Sequence, residues 1–454
     1  MLFHSFSFLI FISIFLTGFI ALRGRARLLL TLLASYLFYG WWYPPYILLL
    51  VCFTFYGYFA ALRPKPSRIF FSGIILIIFL PLIFFKYTHF FSENIEQLFH
   101  VRIPFQGGFQ LPLGISFITF TVTAYLVDVY RGKVPAEQDF ERFALYVAFF
   151  PHLIAGPIMR PWELLPQFKH LELRGKFVKI GLLLFAIGML KKVVFADALA
   201  PIVNTIYSDS AHADLPHALL AFYAFAVQIY CDFSGYTDMA IGIAFALGIW
   251  LPLNFNRPYL AGSIRDFWRR WHITLSRWLR DYLYIPLGGN RHGYARMTVV
   301  LMITMLLGGL WHGAAWTFVF WGFLHGLFLV AEHGIEKKMK LVSKIPLIVK
   351  QVLTFHLVAF SWIFFRARGW TEAMNILRGF WVPGDWQGTL SSAGFPIVLI
   401  LVYFLVQRWD RVAIAVFLAR RLRGPLIYAI AFIVIISSVV LSVGNPSAFI
   451  YFDF

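Results

Sequence analysis

The sequence predicts an all-α, polytopic integral membrane protein, and three features carry that reading. The 454 residues are 60% hydrophobic with a mean hydropathy of +0.75, against roughly 45–50% apolar in an ordinary soluble domain. Apolar blocks of about 18–20 residues recur from end to end, each long enough to cross the hydrocarbon core. They are continuous rather than alternating, which excludes a membrane barrel and leaves helices, whose backbone polar groups are satisfied internally. The blocks number ~11 spans, with re-entrant or interfacial helices between some of them. The formal net charge of +18 would suggest nucleic acid in a soluble protein. Here the basic residues cluster between spans, so the positive-inside rule accounts for most of the excess.

The elements follow in order. Phe8 to Leu22 lacks a basic leader and is followed by Arg23, Arg25 and Arg27 rather than a small-residue cleavage site, so it reads as an uncleaved first span. Those arginines, then Arg63, Lys65 and Arg68, then Arg131 and Lys133, are expected to be cytoplasmic. The charge-free link Trp41-Trp42-Tyr43-Pro44-Pro45-Tyr46 reads as an aromatic interface belt, which puts the N-terminus outside the cytoplasm. The span near Leu111 to Tyr130 returns to the cytoplasm. Beyond Val134 the regular pattern fails. Phe143 to Met159 is apolar but broken at Pro151, Gly156 and Pro157, and the basic stretch Arg160 to Lys179 follows. Both a re-entrant element lining a cavity and a short interfacial helix pair fit.

Ser263 to Tyr284 is not a span either, because seven arginines fall between Arg265 and Arg296. On a helix Phe267, Trp271, Leu275, Trp278 and Tyr282 share one face. Asp266 with Arg270, and Arg277 with Asp281, have the i,i+4 spacing of ion pairs. The transmembrane pattern resumes at Met297 and continues to Leu441, with a polar interruption around Gly379 to Ser392. The whole chain, 1–454, reads as one membrane domain: N-terminal spans 1–134, a catalytic core 135–345 and C-terminal spans 346–454.

The residues with chemistry stand out against this background. His312, in Trp311-His312-Gly313, ends the run Met297 to Leu310, which holds no charge. An ionisable side chain there is expensive in lipid, so it faces a cavity or a partner. Histidine takes and returns a proton near neutral pH, and Gly308, Gly309 and Gly313 would let a substrate approach the backbone. The competing reading is a helix-packing histidine bonded to a carbonyl, and His325 is assigned that role. His272 lies forty residues upstream in Asp266-Phe267-Trp268-Arg269-Arg270-Trp271-His272. It is either an interface residue that snorkels or a second proton-handling group. Arg269, Arg270 and Arg280 would then hold the phosphates of an acyl donor such as coenzyme A.

Cys231-Asp232-Phe233-Ser234-Gly235-Tyr236-Thr237-Asp238 sets two carboxylates between two apolar blocks. Asp232 or Ser234 reads as an N-cap of the helix that follows; alternatively Asp232 and Asp238 face a wet cavity. No metal-ligand cluster, Walker-type loop or dinucleotide fingerprint appears. The two cysteines, Cys52 and Cys231, have no metal spacing and are weak grounds for a disulfide.

Together these stretches resemble the membrane-bound O-acyltransferase family, in its bacterial alginate O-acetylase branch. The markers are the run Asp266 to His272 and its continuation Trp278-Leu279-Arg280-Asp281-Tyr282-Leu283-Tyr284-Ile285-Pro286-Leu287-Gly288-Gly289-Asn290-Arg291. With them go Trp311-His312-Gly313, Leu113-Gly114-Ile115-Ser116-Phe117, Ala155-Gly156-Pro157 and Asp232-Phe233-Ser234-Gly235-Tyr236. The resemblance implies helices around a central tunnel, His312 in the principal catalytic position and His272 in the second. It implies transfer of a short acyl group, acetyl first among them, from a cytoplasmic thioester such as acetyl-CoA toward an extracytoplasmic polysaccharide. A periplasmic acetyltransferase partner would complete delivery from the bacterial inner membrane, and no cofactor is held permanently. Arg269, Arg270, Arg280, Trp311, Asp232 and Asp238 are then donor- or substrate-binding candidates.

Two alternatives stay open on the residues: a teichoic-acid type D-alanyl transferase, and a proton-coupled transporter or flippase. At the C-terminus, Gly444-Asn445-Pro446 would break the last helix ahead of Phe449-Ile450-Tyr451-Phe452-Asp453-Phe454. That aromatic end is either an interface anchor or, with Tyr451 as an acyl relay, part of the tunnel mouth.

Overall fold

The computed structural model describes residues 1–101, 110–291, 293–338, 344–443 and 449–450. Of the described residues 78% are helical, and no strand occurs among them. Among the described residues six helices are long and apolar enough to cross a membrane: Arg68–Phe99, Leu215–Ala246, Gly293–His312, Trp316–Ile335, Leu347–Arg366 and Gly424–Ser442. The pair Trp386–Ser392 and Gly394–Trp409, bent by 79°, makes a seventh if it is one broken span. Three more apolar helices, Phe6–Ala21, Tyr46–Leu62 and Ile115–Tyr130, are 16 or 17 residues long. At 1.5 Å per residue they extend about 25 Å, a little under the hydrocarbon thickness of about 30 Å. The protein is a multi-pass membrane protein, but the ~11 spans expected from apolar blocks are not reached by helices of spanning length among the described residues.

The chain divides into two compact units. The first comprises Met1–Ala186, Tyr236–Pro252 and Leu422–Val439. Its irregular part is the stretch expected to fail as a span. The helix Phe140–Ala148 stops at Phe149, a single turn covers Phe150–Leu153, and irregular backbone follows. Every residue from Phe143 to Pro161 is buried, so the irregular backbone is covered by protein. The backbone polar groups of the break find internal partners, as burial in lipid or protein demands. Phe150 N–H donates to Ser35 Oγ at 3.1 Å, and Tyr146 Oη donates to the Met159 carbonyl at 3.2 Å. Gly114 has φ +69°, and a Cβ there would sit 2.8 Å from the Leu153 carbonyl, which explains the glycine of the Leu113–Phe117 marker.

The second unit comprises Ile187–Gly235, Leu253–Arg421 and Val440–Phe454, and it holds both histidines. Two expectations change here. The Cys231–Asp238 stretch is not a junction: it lies inside one continuous 32-residue helix, Leu215–Ala246, so neither Asp232 nor Ser234 is an N-cap. The segment from Ser263 is not one helix: it forms Ile264–Trp268, then Ile273–Leu279, then a π-helical turn Arg280–Tyr284. The first break falls at His272.

Candidate active site

His312 is the last residue of the helix Gly293–His312, and the next helix begins at Trp316. Two of the glycines around it serve close packing. A Cβ on Gly309 would run into the Phe318 carbonyl and meet Gly322 Cα at 3.2 Å, and a Cβ on Gly313 would enter the Phe318 ring. Small residues thus bring the two helix backbones together, as they do where membrane helices cross closely. This gives Gly309 and Gly313 a packing role and His312 a rigid seat.

His272 stands at the other break. Its φ of 40° and ψ of 54° are left-handed, a region non-glycine residues enter rarely and at some cost. Asn254, fully buried, holds the chain there. Its carbonyl accepts Ile273 N–H at 2.9 Å, while its Oδ1 accepts Thr274 N–H at 3.3 Å and Thr274 Oγ–H at 2.6 Å. Asn256 N–H donates to the Arg270 carbonyl at 2.9 Å. The approach of residues 254–256 therefore captures backbone groups that a continuous helix would have used internally.

The two clamps bring the imidazoles to a centroid separation of 6.4 Å. A ring nitrogen lies about 1 Å from its centroid and a hydrogen bond spans about 2.9 Å, so two rings at this separation are within reach of one small polar group. Aromatic edges enclose them. Trp311 lies 6.0 Å from His272 and 4.9 Å from His312, Trp321 and Phe365 stand edge-on to His312 at 5.0 and 5.3 Å, and Phe233 stands at 90° to His272, 4.7 Å away. His272 is 0% and His312 3% exposed. Burial pushes the His272 imidazole down to about 3, so it is neutral at physiological pH.

The other candidates divide. Trp311 joins the site. Arg270 Nε donates to Asp266 at 2.8 Å, as its spacing predicts, and Arg280 Nε donates to Asp281 at 2.7 Å. Two of the three donor arginines thus carry carboxylate partners, and Arg269 and Arg280 are exposed. Asp232 pairs with Lys192 at 2.7 Å, next to Phe233. Asp238 is half-buried on the part of its helix that belongs to the first unit. His325 binds Ser361 Oγ at 2.9 Å between Phe267 and Trp321, consistent with packing. Tyr451, and Gly444-Asn445-Pro446 before it, lie outside the described residues.

Sequence reasoning missed Asn254, Lys192, Trp321 and Phe365. Two had a visible signal: Asn254-Phe255-Asn256-Arg257-Pro258 is a polar interruption ahead of the aromatic–basic stretch, and Lys191-Lys192 are adjacent charges in an apolar run.

Residues 137–367, which include both histidines, Asn254 and Asp232, match the model of the membrane-bound O-acyltransferase family. The chain belongs to that family. A probable alginate O-acetylase of Azotobacter vinelandii is 40% identical over 86% of this chain and 80% of its own. A peptidoglycan O-acetyltransferase of Helicobacter pylori is 39% identical over 76% and 72%. A teichoic acid D-alanyltransferase of Bacillus subtilis is 27% identical over 69% and 81%. The chain is accordingly a membrane-bound O-acyltransferase, an enzyme of acyl, and by its nearer similarities acetyl, transfer.

Proposed function

We propose that this O-acyltransferase moves an acetyl group from a cytoplasmic thioester, acetyl-CoA or a carrier-bound acyl chain, toward an extracytoplasmic polysaccharide, with His312 as general base. The observation that carries the reading is the pair of buried imidazoles 6.4 Å apart at two helix ends. The relatives at 39 and 40% identity named for alginate and peptidoglycan acetylation support acetyl and a polysaccharide acceptor. The D-alanyl alternative rests on the 27% relative and is the weaker of the two.

In the proposed step His312 takes the proton of an acceptor hydroxyl, whose oxygen attacks the thioester carbonyl carbon. Neutral His272 donates its N–H to the developing oxyanion. The C–S bond breaks as the carbonyl re-forms, and the proton on His312 passes to the leaving thiolate. Arg269, Arg270 and Arg280 retain the donor's phosphates in this reading, and Trp311 packs against the acyl group. The acceptor hydroxyl is either the polymer's or that of Tyr451, which would relay the acetyl group to a periplasmic acetyltransferase. Phe449 and Ile450, just before Tyr451, are held among residues of the same unit as the histidines. We place the enzyme in the bacterial inner membrane, where such a donor and such an acceptor lie on opposite sides.

Transfer of label from acetyl-CoA by the purified enzyme tests the reading. His312→Ala should lose a general base, typically about 10²–10⁴ in rate, while inserting and expressing normally. Wild-type acetylation by that variant would refute the assignment, and label transfer from D-alanyl carrier alone would move the enzyme to the other class.

A further inference from the structure

Beside the histidines lies a buried ion group that the proposed step does not use. Lys192, 1% exposed, sits in the π-helical stretch Leu190–Asp197, with Nζ 2.7 Å from Asp197 Oδ1 and 2.7 Å from Asp232 Oδ1. Gly235 permits that approach: a Cβ there would stand 2.7 Å from the Gly188 carbonyl and 3.0 Å from Lys192 N. One cation therefore faces two carboxylates. The second oxygen of Asp232 accepts the backbone N–H of Ile450 at 2.7 Å, from 218 residues away in sequence. The neighbouring residue repeats the pairing through its ring. Phe449 is 0% exposed and lies 5.7 Å from Phe233, which stands edge-on to His272 at 4.7 Å.

Asp232 and Phe233 are thus consecutive residues that grip consecutive residues of the C-terminal segment. Packing does not require this arrangement, since apolar residues of similar volume often replace a buried ion group at no cost in stability. A carboxylate fixed by a lysine does supply something packing lacks: a strong, directional acceptor for one backbone N–H.

We propose that Asp232, held by Lys192, is a positioning residue that docks Phe449 and Ile450 against Phe233, the ring that stands edge-on to His272, making these two residues a wall behind Phe233 at the reaction site. This rests on the acyl-transfer reading for its consequence, though not for the docking itself. The predicted effect of undocking falls on turnover, because the wall orients groups at the histidines, and not on donor affinity.

The test uses the full chain in detergent with Cys52 and Cys231 replaced by alanine and Ile450→Cys as a reporter, which keeps the backbone N–H. Maleimide should modify the reporter slowly in this parent. Adding Asp232→Asn or Phe449→Ala should speed modification tenfold or more, on the order expected when a bond to a charged group is lost. Separately, in the chain without the Ile450→Cys reporter, Phe449→Ala and Ile450→Pro should lower kcat for acetyl transfer at least tenfold with donor KM unchanged. Ile450→Pro removes the N–H donor and fixes the local backbone, but it leaves the lysine and both carboxylates in place, so it separates undocking from a folding failure of Asp232→Asn. Equal reporter rates in the parent and in Phe449→Ala and Asp232→Asn would overturn the docking. A freed reporter with full kcat in Phe449→Ala would overturn the positioning role. A chain that transfers no acetyl group at all but shows the expected reporter rates would instead refute the acyl-transfer reading.

Discussion

Asn254→Ala tests whether the left-handed turn at His272 matters for catalysis. The substitution keeps the backbone carbonyl that accepts Ile273 N–H but deletes Oδ1, the acceptor for Thr274 N–H at 3.3 Å and Thr274 Oγ–H at 2.6 Å. Each neutral hydrogen bond contributes about 0.5–1.5 kcal/mol net, so the loss is about 1–3 kcal/mol, all of it at residues adjoining His272. The left-handed backbone itself costs about 1–3 kcal/mol relative to an ordinary region. Losing the clamp therefore removes a stabilisation of the same size as the strain it holds, and the turn should relax toward helix. The imidazole would move by an ångström or more, and a misplacement of that size costs on the order of 10²-fold in rate. Acetyl transfer by purified protein, normalised to the folded fraction from size-exclusion chromatography, should fall by roughly that factor. Asn254→Asp, which keeps both acceptor positions, should retain more activity than Asn254→Ala. Asn254→Ala with wild-type kcat would refute the claim that the clamp sets His272.

Three further outcomes follow from the same geometry. His272 is held neutral, with its value pushed from 6.5 to about 3 by burial, so unfolding releases a group that takes up a proton below about pH 6.5. Its contribution is whole above that pH and is lost as pH falls, by about 1.4 kcal/mol per unit; His272→Gln should show a correspondingly flatter decline in urea midpoint from pH 6.5 to 5, and identical declines would refute this. Gly309→Ala forces apart two helices in backbone contact and should destabilise by about 1–3 kcal/mol, whereas Gly73→Ala, with nothing within 4 Å, should be neutral or stabilising by up to about 1 kcal/mol in thermal unfolding. Arg269→Ala should raise the donor KM about tenfold or more with kcat intact, and Arg280→Ala less so because Asp281 already engages Arg280; unchanged KM in both would make the arginines purely topological.

The sequence made the helical membrane class legible because composition and block length are summed over hundreds of residues. His312 stood out as a candidate because a charge-free run isolates it. The span count was less so: Phe6–Ala21, Tyr46–Leu62 and Ile115–Tyr130 read as apolar blocks, but their helical parts stop a few residues early. The break at His272 was hidden by a helical stripe, Phe267, Trp271 and Leu275, that runs straight through it. What overrides that stripe is Asn254, about twenty residues upstream, and no local periodicity registers a hydrogen bond supplied from another part of the chain.

Asp232 teaches the same point from the opposite side. A carboxylate in an apolar context suggests an N-cap when only its neighbours are considered, since the cap is the commonest local use of aspartate. In a helix interior at this depth that carboxylate needs a partner delivered by another segment, and Lys192 delivers it from forty residues upstream. The same logic covers the histidines. Neither could meet the other within one helix, because residues forty apart on a straight helix would lie about 60 Å apart. Each stands where a helix is interrupted, one by a glycine-lined helix contact and one by an asparagine clamp. The interruptions, which look like defects in a transmembrane pattern, are what bring two imidazoles to 6.4 Å.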